Sequence, residues 1–255
     1  MDYVKTEKPS LSKSAFREER RIASEPKIYL WVWRYDADMT WIDNTRYGIA
    51  YLAGTVKIGP RGIVKKPRLN SLKVPDNTSV EAVVRIESAP GVIAHKDQVK
   101  TVRNLLISQI PLKKVEAVQI DFDATRSERP FYKELLVQLK ESLPEKMPLY
   151  MTALASWTLF DRWSGDLPGD TVVPMFFHMG KDRNRVISCL EKGMVKDARA
   201  TLAIGIVVDE PDVYKSLSKM NGLKQFDKVY LFSPGGWRKE SSKSFARIVE
   251  KQFSK

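Results

Sequence analysis

Short runs of apolar residues recur along the chain from Lys27 onward, and many of them are rich in β-branched and aromatic side chains. Most of these runs are apolar on both faces, which is typical of a strand in a parallel sheet that helices cover. They comprise residues 27–35, 48–56, 81–88, 117–124, 148–156, 171–179, 201–209 and 228–233. The pattern therefore predicts eight β-strands.

Between several of these runs, apolar residues recur at spacings of three, four and seven, which indicate amphipathic helices packed on a core. Such stretches follow the third, fourth, sixth and eighth runs. Their apolar positions are Val99, Val102, Leu106 and Ile110; Tyr132, Leu135, Leu136, Leu139 and Leu143; Val186, Ile187, Leu190 and Met194; and Phe245, Ile248, Val249 and Phe253. The sequence therefore predicts a helix after each of these strands.

The alternation of strands and helices predicts an α/β fold with a parallel sheet. Eight strands in a chain of 255 residues favour a closed (β/α)8 barrel, or TIM barrel. An open, doubly wound sheet is the alternative, but that fold normally has a glycine-rich loop after its first strand. The segment "WRYDADMTW" (33–41) stands there instead.

The predicted barrel is irregular after its second strand. Residues 57–80 show no helical pattern, and a β-hairpin with its turn at Gly-Pro-Arg-Gly explains "KIGPRGIVKKPRLNSLKVP" better. Residues 1–26 are rich in Lys, Arg, Glu and Ser and are interpreted as a flexible charged leader. We therefore expect one irregular barrel domain over residues 27–255, with a β-hairpin in place of the second helix.

The charge of the chain permits an anionic partner without requiring one. Lys and Arg number 43 against 31 Asp and Glu, which gives a formal net charge of +12. Six of the cations and no acidic residue lie in residues 57–73. No nucleic-acid motif accompanies this stretch, so we expect a solvated hairpin and no specific nucleic-acid binding.

The scarce cysteine and histidine residues limit the chemistry. Cys189 is the single cysteine, which excludes an internal disulfide, and the two histidines, His95 and His178, exclude a histidine-rich metal site. The sequence does not exclude a metal ion bound by carboxylates, but we expect no cofactor. No apolar run is long enough to span a membrane, and residues 1–26 lack the apolar core of a signal peptide. We expect a monomer.

Two aspartates at the end of the fourth strand are the first candidates for a site. Active sites of (β/α)8 barrels lie at the C-terminal ends of the strands. Because strand side chains alternate, Gln119, Asp121 and Asp123 share one face of "AVQIDFDATRSE" (117–128), and the apolar residues between them share the other. The apolar face is expected to meet the helices, which directs the carboxylates into the barrel and places Asp123 nearest its mouth.

The third strand supplies two more charged candidates. The same alternation places Arg85 and Glu87 together, next to the aspartates of the fourth strand. One interpretation makes Asp121, or Asp123, half of a structural ion pair with Arg85, since buried charges need partners. The other makes these side chains part of a site.

Aromatic and polar residues at other strand ends complete the candidate site. Three tryptophans are expected near the mouth, where an indole face packs well on the apolar face of a sugar ring; each is also a candidate for the core. With them we expect His178, after the sixth strand, and Asp209, after the seventh, at the mouth. The tryptophans are Trp33, Trp157 and Trp237.

The segments "IYLWVWRY", "VVRIES", "VQIDFDAT", "PLYMTALASW" and "VVPMFFHMG", in this order, resemble an uncharacterised bacterial family of divergent glycosidase-like TIM barrels, a domain of unknown function. The resemblance covers roughly residues 27–237. Members are usually exported to the cell envelope, so the resemblance implies an exported or periplasmic protein. It also implies a carbohydrate ligand.

More distantly, "QIDFDAT" is similar to the strand-four motif of family 18 chitinases, D-x-x-D-x-D-x-E. In that family the final Glu is the general acid, the Asp before it orients the acetamido group of the substrate, and the sugar supplies the nucleophile. Thr125 stands at the position of the Glu. Either Asp123 takes the acid role with Asp121 as its partner, or the chitinase chemistry is absent.

The sequence thus leaves three functions open. The first is a glycoside hydrolase in which Asp123 is the general acid and Glu87 or Asp209 is the second carboxylate, unless the substrate assists. The second is a carbohydrate-binding barrel without catalysis, in which the same residues, with Trp33, Arg85, Trp157, His178 and Trp237, only hold a glycan. The third is an anion-binding protein that uses the basic residues 57–73.

Overall fold

A computed structural model describes residues 26–33, 37–161, 163–192, 203–218 and 226–238 of the protein. The leader up to residue 25 and the predicted helix from Phe245 to Phe253 lie outside the described residues. Met194 of the helix predicted after the sixth strand also lies outside them.

Eight parallel strands form a closed barrel. The first strand pairs with both the second and the last barrel strand, which closes the ring and excludes the open sheet. The barrel strands are β1 (Lys27–Val32), β3 (Tyr47–Gly59), β6 (Val80–Ser88), β7 (Ala117–Asp121), β8 (Leu149–Leu154), β9 (Thr171–Met175), β10 (Ala203–Val207) and β11 (Lys228–Phe232). Each of the eight apolar runs overlaps one of these strands, although β3 and β6 extend beyond the predicted runs.

Helices cover the outside of the barrel. They are α1 (Val99–Ile107), α2 (Arg129–Ser142), α3 (Ala155–Leu159), α4 (Arg183–Glu191) and α5 (Pro211–Ser218). The apolar stripe of α2 is fully buried on the barrel, as its spacing indicated. Helix α1 ends at Ile107, so Ile110 lies beyond it, although its side chain is buried as well.

The segment after the second barrel strand is an antiparallel hairpin. The far end of β3 folds back into β4 (Gly62–Pro67), and Gly59 lies opposite Gly62 at the turn. Gly62 has a φ of +126°, which favours glycine because it has no Cβ. Ile63 of β4 packs on the same apolar cluster as Val56 and Ile58 of β3, so the hairpin covers part of the barrel wall. The short strands β2 (Ala37–Asp38) and β5 (Leu72–Lys73) pair with each other.

Strand β7 shows how the core divides into an outer and an inner part. Val118, Ile120 and the following Phe122 pack in the cluster that contains the apolar residues of α1 and α2. Gln119 and Asp121 point the other way, into the barrel, where both are buried. The side-chain alternation predicted for this strand is therefore confirmed.

Stacked aromatic rings fill the middle of the barrel. The ring of Tyr230 stacks on the rings of Tyr29 and Trp31, with centroids 5.3 Å apart in each pair. The indole N–H of Trp31 donates to Gln119 Oε1 over 2.8 Å, which gives the indole N–H and the amide oxygen a partner in the interior. A Cβ on Gly205 would lie 2.7 Å from the Trp31 ring, so glycine at this position makes room for the indole.

A buried ion pair lies at the N-terminal end of the barrel. Lys228 Nζ donates to Glu81 Oε1 at 2.7 Å and to the Tyr150 hydroxyl at 3.1 Å, and Tyr230 donates to Glu81 Oε2 at 2.7 Å. Burial raises the pKa of Glu81, and the Lys228 ammonium and the Tyr230 hydroxyl oppose this shift. Burial alone would lower the pKa of Lys228, but the Glu81 carboxylate raises it above its ordinary value. The pair joins β6 to β11 across the barrel interior.

We expect Glu81→Leu to lower the free energy of unfolding by about 3 kcal/mol, the low end of the range for breaking a buried pair, because Lys228 stays partly exposed. The double variant Glu81→Leu/Lys228→Met should recover most of this loss, because it leaves no unpaired charge. Urea denaturation of the three proteins measures both effects. Equal stability of wild type and Glu81→Leu would show that the pair contributes nothing.

Candidate active site

A cavity of about 470 Å³ opens at the C-terminal end of the barrel. Five of the residues predicted for a site line it, namely Trp33, Arg85, Asp121, Asp123 and His178. Further lining residues were not singled out from the sequence: Trp31, Thr152, Leu154, Met175, Phe177 and Phe232. The cavity therefore combines a charged side on β6 and β7 with an aromatic and apolar side on β8, β9 and β11.

Asp121 is the buried carboxylate of the cavity. Its side chain is 7% exposed, its Oδ1 accepts from the Thr152 hydroxyl at 2.7 Å, and its Oδ2 lies 3.6 Å from Arg85 Nε. Burial raises the pKa of Asp121, while the Arg85 guanidinium and the Thr152 hydroxyl oppose the shift. The ion pair with Arg85 that the sequence suggested is thus present for Asp121, and the residue also faces the cavity.

Asp123 lies two residues further along, at the mouth. Its side chain is exposed to the cavity, but the surrounding walls remove much of the bulk water around the carboxyl group. This desolvation, followed by the negative charge of Asp121, raises the pKa of Asp123 to about 6, while Arg85 opposes the shift. A carboxyl group with that pKa is partly protonated near neutral pH and can give its proton to a bound molecule.

A ladder of alternating charges runs along the inner face of β3, β6 and β7. Glu87 lies 3.2 Å from Arg85 Nε through Oε1 and 2.6 Å from Lys57 Nζ through Oε2. Arg85 in turn contacts Asp121. Since Glu87 contacts two cations and does not line the main cavity, its geometry suits a support for Arg85 better than the predicted role of a second catalytic carboxylate.

His178 forms part of the cavity rim in a left-handed backbone conformation. Its φ of +50° is uncommon for a residue other than glycine. Its backbone N–H donates to Glu210 Oε1 at 2.9 Å, and Arg183 binds both Glu210 and Asp212. The imidazole, 57% exposed, lies edge-on to Phe177 and Phe232. The Glu210 carboxylate therefore stabilises the backbone that presents His178 to the cavity.

Aromatic rings form the opposite wall. Phe177 and Phe232 stack with centroids 5.7 Å apart, and Trp33 meets Phe232 edge-on at 6.1 Å. Both phenylalanines lie on or just after strands whose alternate residues face inward, so the period of two in "TVVPMFFHM" and "KVYLFS" could have identified them. The same rule applied to "PLYMTALAS" would have identified Thr152.

Trp157 is not at the mouth, which corrects the sequence prediction. Strand β8 ends at Leu154 and the chain enters α3 at once, so Trp157 turns to the outside of the barrel. There it is 2% exposed, packs against Trp163 with centroids 4.6 Å apart, and lies beneath the Arg129 guanidinium. Its role is in the core.

Trp237 and Asp209 lie outside the main cavity as well. The Trp237 indole N–H donates to the Trp31 carbonyl oxygen at 2.8 Å, and its ring lines a neighbouring cavity with Val32, Trp33 and Ala37. Asp209 is exposed and does not line the main cavity, whereas the next residue, Glu210, holds His178. Of these two adjacent carboxylates, Glu210 contacts the cavity rim, whereas the predicted Asp209 does not line the cavity.

Thr125, at the position of the chitinase acid, caps a helix. Its hydroxyl donates to Glu128 Oε2 at 2.7 Å and its backbone N–H donates to the same oxygen at 2.9 Å, a capping box before α2. The other oxygen of Glu128 accepts from Ser88 and from the Ala94 backbone N–H, which ties the loops after β6 and β7 together. Thr125 therefore contributes to the fold beside the cavity and not to its lining.

Metal and membrane sites receive no support from the described part of the chain. Within it, no group of three or more His, Cys, Asp or Glu side chains is placed to hold a metal ion. Among the same residues no helix has the length and apolarity that crossing a bilayer requires.

Comparisons with known proteins support the barrel fold. No protein-family model and no curated protein matches the chain. The solved structure of "putative Chitinase A" from Streptomyces coelicolor matches with a TM-score of 0.58 at 10% identity, over 89% of this chain and 98% of that one. The Bacillus cereus spore cortex-lytic enzyme SleL matches with a TM-score of 0.45 at 14% identity, over 72% of this chain and 50% of that one. At these identities the first match supports the barrel fold, as the sequence resemblance implied.

The raised pKa of Asp123 predicts how the stability of the protein changes with pH. Between the ordinary aspartate pKa of 3.8 and about 6, the folded protein binds a proton that the unfolded chain has released, so Asp123 lowers stability as the pH rises through this window. Asp123→Asn removes the charge, and we therefore expect it to raise the melting temperature at pH 8 and to leave it nearly unchanged at pH 4.

Thermal melts at both pH values, with Asp209→Asn as the matched control on an exposed aspartate, measure this effect. The control should change the melting temperature little at either pH. A lower melting temperature for Asp123→Asn at pH 8 would instead mean that the Asp123 carboxylate is held by a stabilising ion pair.

Proposed function

We propose that the protein is a glycoside hydrolase-like enzyme that acts on a polysaccharide or oligosaccharide at the C-terminal mouth of the barrel, with Asp123 as the general acid. The observation that carries this proposal is the paired carboxylates of Asp121 and Asp123, which face an aromatic wall across one cavity. The fold shared with a chitinase-like barrel is consistent with it.

The cavity has the chemistry of a sugar site. A pyranose ring has an apolar face that packs on aromatic rings, which Trp33, Phe177 and Phe232 offer. Its hydroxyl groups need hydrogen-bond partners, which Arg85 and His178 offer beside the aspartates. Pockets with apolar walls and a few convergent polar groups are the usual form of small-ligand sites.

The proposed acid step uses the proton held by Asp123. That proton passes to the glycosidic oxygen as the bond from this oxygen to the anomeric carbon breaks, and the leaving sugar departs as an alcohol. Burial, and then the negative charge of Asp121 deeper in the barrel, keep the pKa of Asp123 high. Arg85 and Thr152 hold Asp121 in position.

The second group of the reaction is best supplied by the substrate. Among the described residues that line the cavity, the carboxylates are Asp121 and Asp123, since Glu87 and Asp209 lie outside it. In the mechanism that the chitinase resemblance implies, an acetamido group of the sugar attacks its own anomeric carbon. Asp121 is then placed to orient that group, and a 2-acetamido sugar is the substrate that this arrangement favours.

Asp123→Asn tests the proposal, because it preserves the shape of the side chain and removes the proton. We expect turnover of chitooligosaccharides to fall by roughly 10²-fold or more, as for a lost general acid. In the wild type, kcat/KM should decline above about pH 6, since the acid form of Asp123 is lost there. Reducing-end release across pH 4–9 measures both.

Thr125→Ala is the matched control, because it alters the neighbouring motif position outside the cavity. It should lower the free energy of unfolding by ~1 kcal/mol through loss of the helix cap and leave kcat/KM unchanged. An Asp123→Asn enzyme with wild-type turnover would refute the acid assignment. Equal losses of turnover in both variants would point to a general disturbance of the loop after β7.

The second candidate function is carbohydrate binding without catalysis, and Thr125 is the observation that favours it, since a chitinase-type acid is absent at that position. The same chitooligosaccharides and the Asp123→Asn variant distinguish the two functions. A binding protein should show affinity for the oligosaccharides with no turnover at any pH, and Asp123→Asn should then weaken binding only modestly.

Export of the protein to the cell envelope is a further part of the proposal, and its support is the family resemblance of the sequence. Fractionation of cells that produce the protein, followed by detection in the cytoplasmic and envelope fractions, tests it.

A further inference from the structure

A second cavity, of about 460 Å³, lies beside the candidate active site at the turn of the β3–β4 hairpin. Its lining includes Lys57, Pro60, Arg61 and Val64 from the hairpin, and Glu87 and Pro90 from the end of β6. Strands β3 and β6 both end at the mouth of the barrel. The second cavity therefore opens on the same side of the molecule as the first.

One ion pair joins the linings of the two cavities. Glu87 lines the hairpin cavity, and its Oε1 lies 3.2 Å from Nε of Arg85, which lines the main cavity. A linear molecule bound at Asp123 can therefore continue past Arg85 toward the hairpin. Such a path would suit a polymer that uses several binding positions.

Charge distinguishes the hairpin end of this path. Residues 57–73 contain six basic and no acidic residues, and therefore supply half of the formal net charge of +12. Lys57 is paired with Glu87 at 2.6 Å. Arg61 is exposed at the rim of the cavity, and no described residue forms a hydrogen bond or ion pair with its guanidinium. Arg61 is thus the cation best placed to receive an anion from outside.

We propose that the hairpin cavity is a distal subsite for an anionic group of the substrate, with Arg61 as its direct contact, so that the glycan is an acidic polysaccharide. The proposal rests on the proposed function and extends it to the substrate class. A guanidinium binds a carboxylate through two parallel hydrogen bonds, which gives both affinity and orientation. Apolar surface from Pro60, Val64 and Pro90 is available beside it for a sugar ring.

Two matched ligands test the subsite: chitohexaose and its 6-O-carboxymethylated form, which share a backbone and differ in carboxylates. Dissociation constants are measured by calorimetry for the wild type, Arg61→Ala and Lys66→Ala. Lys66 lies exposed on β4 of the same hairpin but not in the cavity, so its variant removes the same charge elsewhere.

We expect the wild type to bind the carboxymethylated hexamer more tightly than the neutral one. Arg61→Ala should weaken binding of the carboxymethylated hexamer about tenfold, as one lost charged hydrogen-bonded contact does, and leave binding of the neutral hexamer unchanged. Lys66→Ala should retain the preference for the carboxymethylated hexamer.

Three results overturn the subsite: no preference of the wild type for carboxylates, equal losses in the two variants, or no binding of either hexamer. Equal losses would mean diffuse attraction by the basic hairpin. Turnover is followed in parallel, so that the two proposals fail separately. Cleavage without a carboxylate preference overturns the subsite alone, whereas a preference that depends on Arg61, without cleavage, overturns the hydrolase alone.

Discussion

Because side chains alternate along a β-strand, β7 cannot bury Val118 and Ile120 against the helices without directing Gln119 and Asp121 into the barrel. Closure of the ring makes this constraint strict, since the inner face has no solvent side to which a carboxylate can turn. The candidate site is the consequence: the polar residues of β7 must find partners inside, and the last of them reaches water only at the mouth.

Each level of the barrel interior provides different partners for its buried polar groups. At the bottom, Glu81 is paired with the Lys228 ammonium. In the middle, the Gln119 amide accepts from the Trp31 indole. At the top, Asp121 accepts a hydrogen bond from one hydroxyl and lies beside one guanidinium, whereas the described residues offer Asp123 no comparable partner, and burial raises its pKa to about 6. The lower levels are structural, and the upper level retains a group that can exchange a proton.

Periodicity in the sequence predicted the features that depend on local alternation. It predicted eight strands, the inward face of β7, and the adjacency of Arg85 and Asp121, which lie opposite each other in the strand register. It was wrong where a strand ended early: β8 stops at Leu154, and the helix that follows carries Trp157 to the outside. Contacts between distant segments, such as Glu210 with the His178 backbone, have no local signal. Neither does the left-handed backbone of His178 itself, which tertiary contacts impose.

The short connection after β7 decides which acidic positions the mouth can contain. Thr125 and Glu128 form a capping box that starts the turn into α2 two residues after Asp123, and Glu128 also fixes the loop after β6 through Ser88. A capping box needs a hydroxyl at its first position, so the residue that stands where chitinases have their acid is used here for the fold. In the proposed mechanism the chemistry of the mouth then rests on two aspartates at the end of one strand, the buried one held by Arg85 and Thr152 and the outer one with a pKa raised by burial and then by the charge of the first. Under the proposed function, position at the end of β7, and not the identity of a motif, determines which carboxyl group acts as the acid.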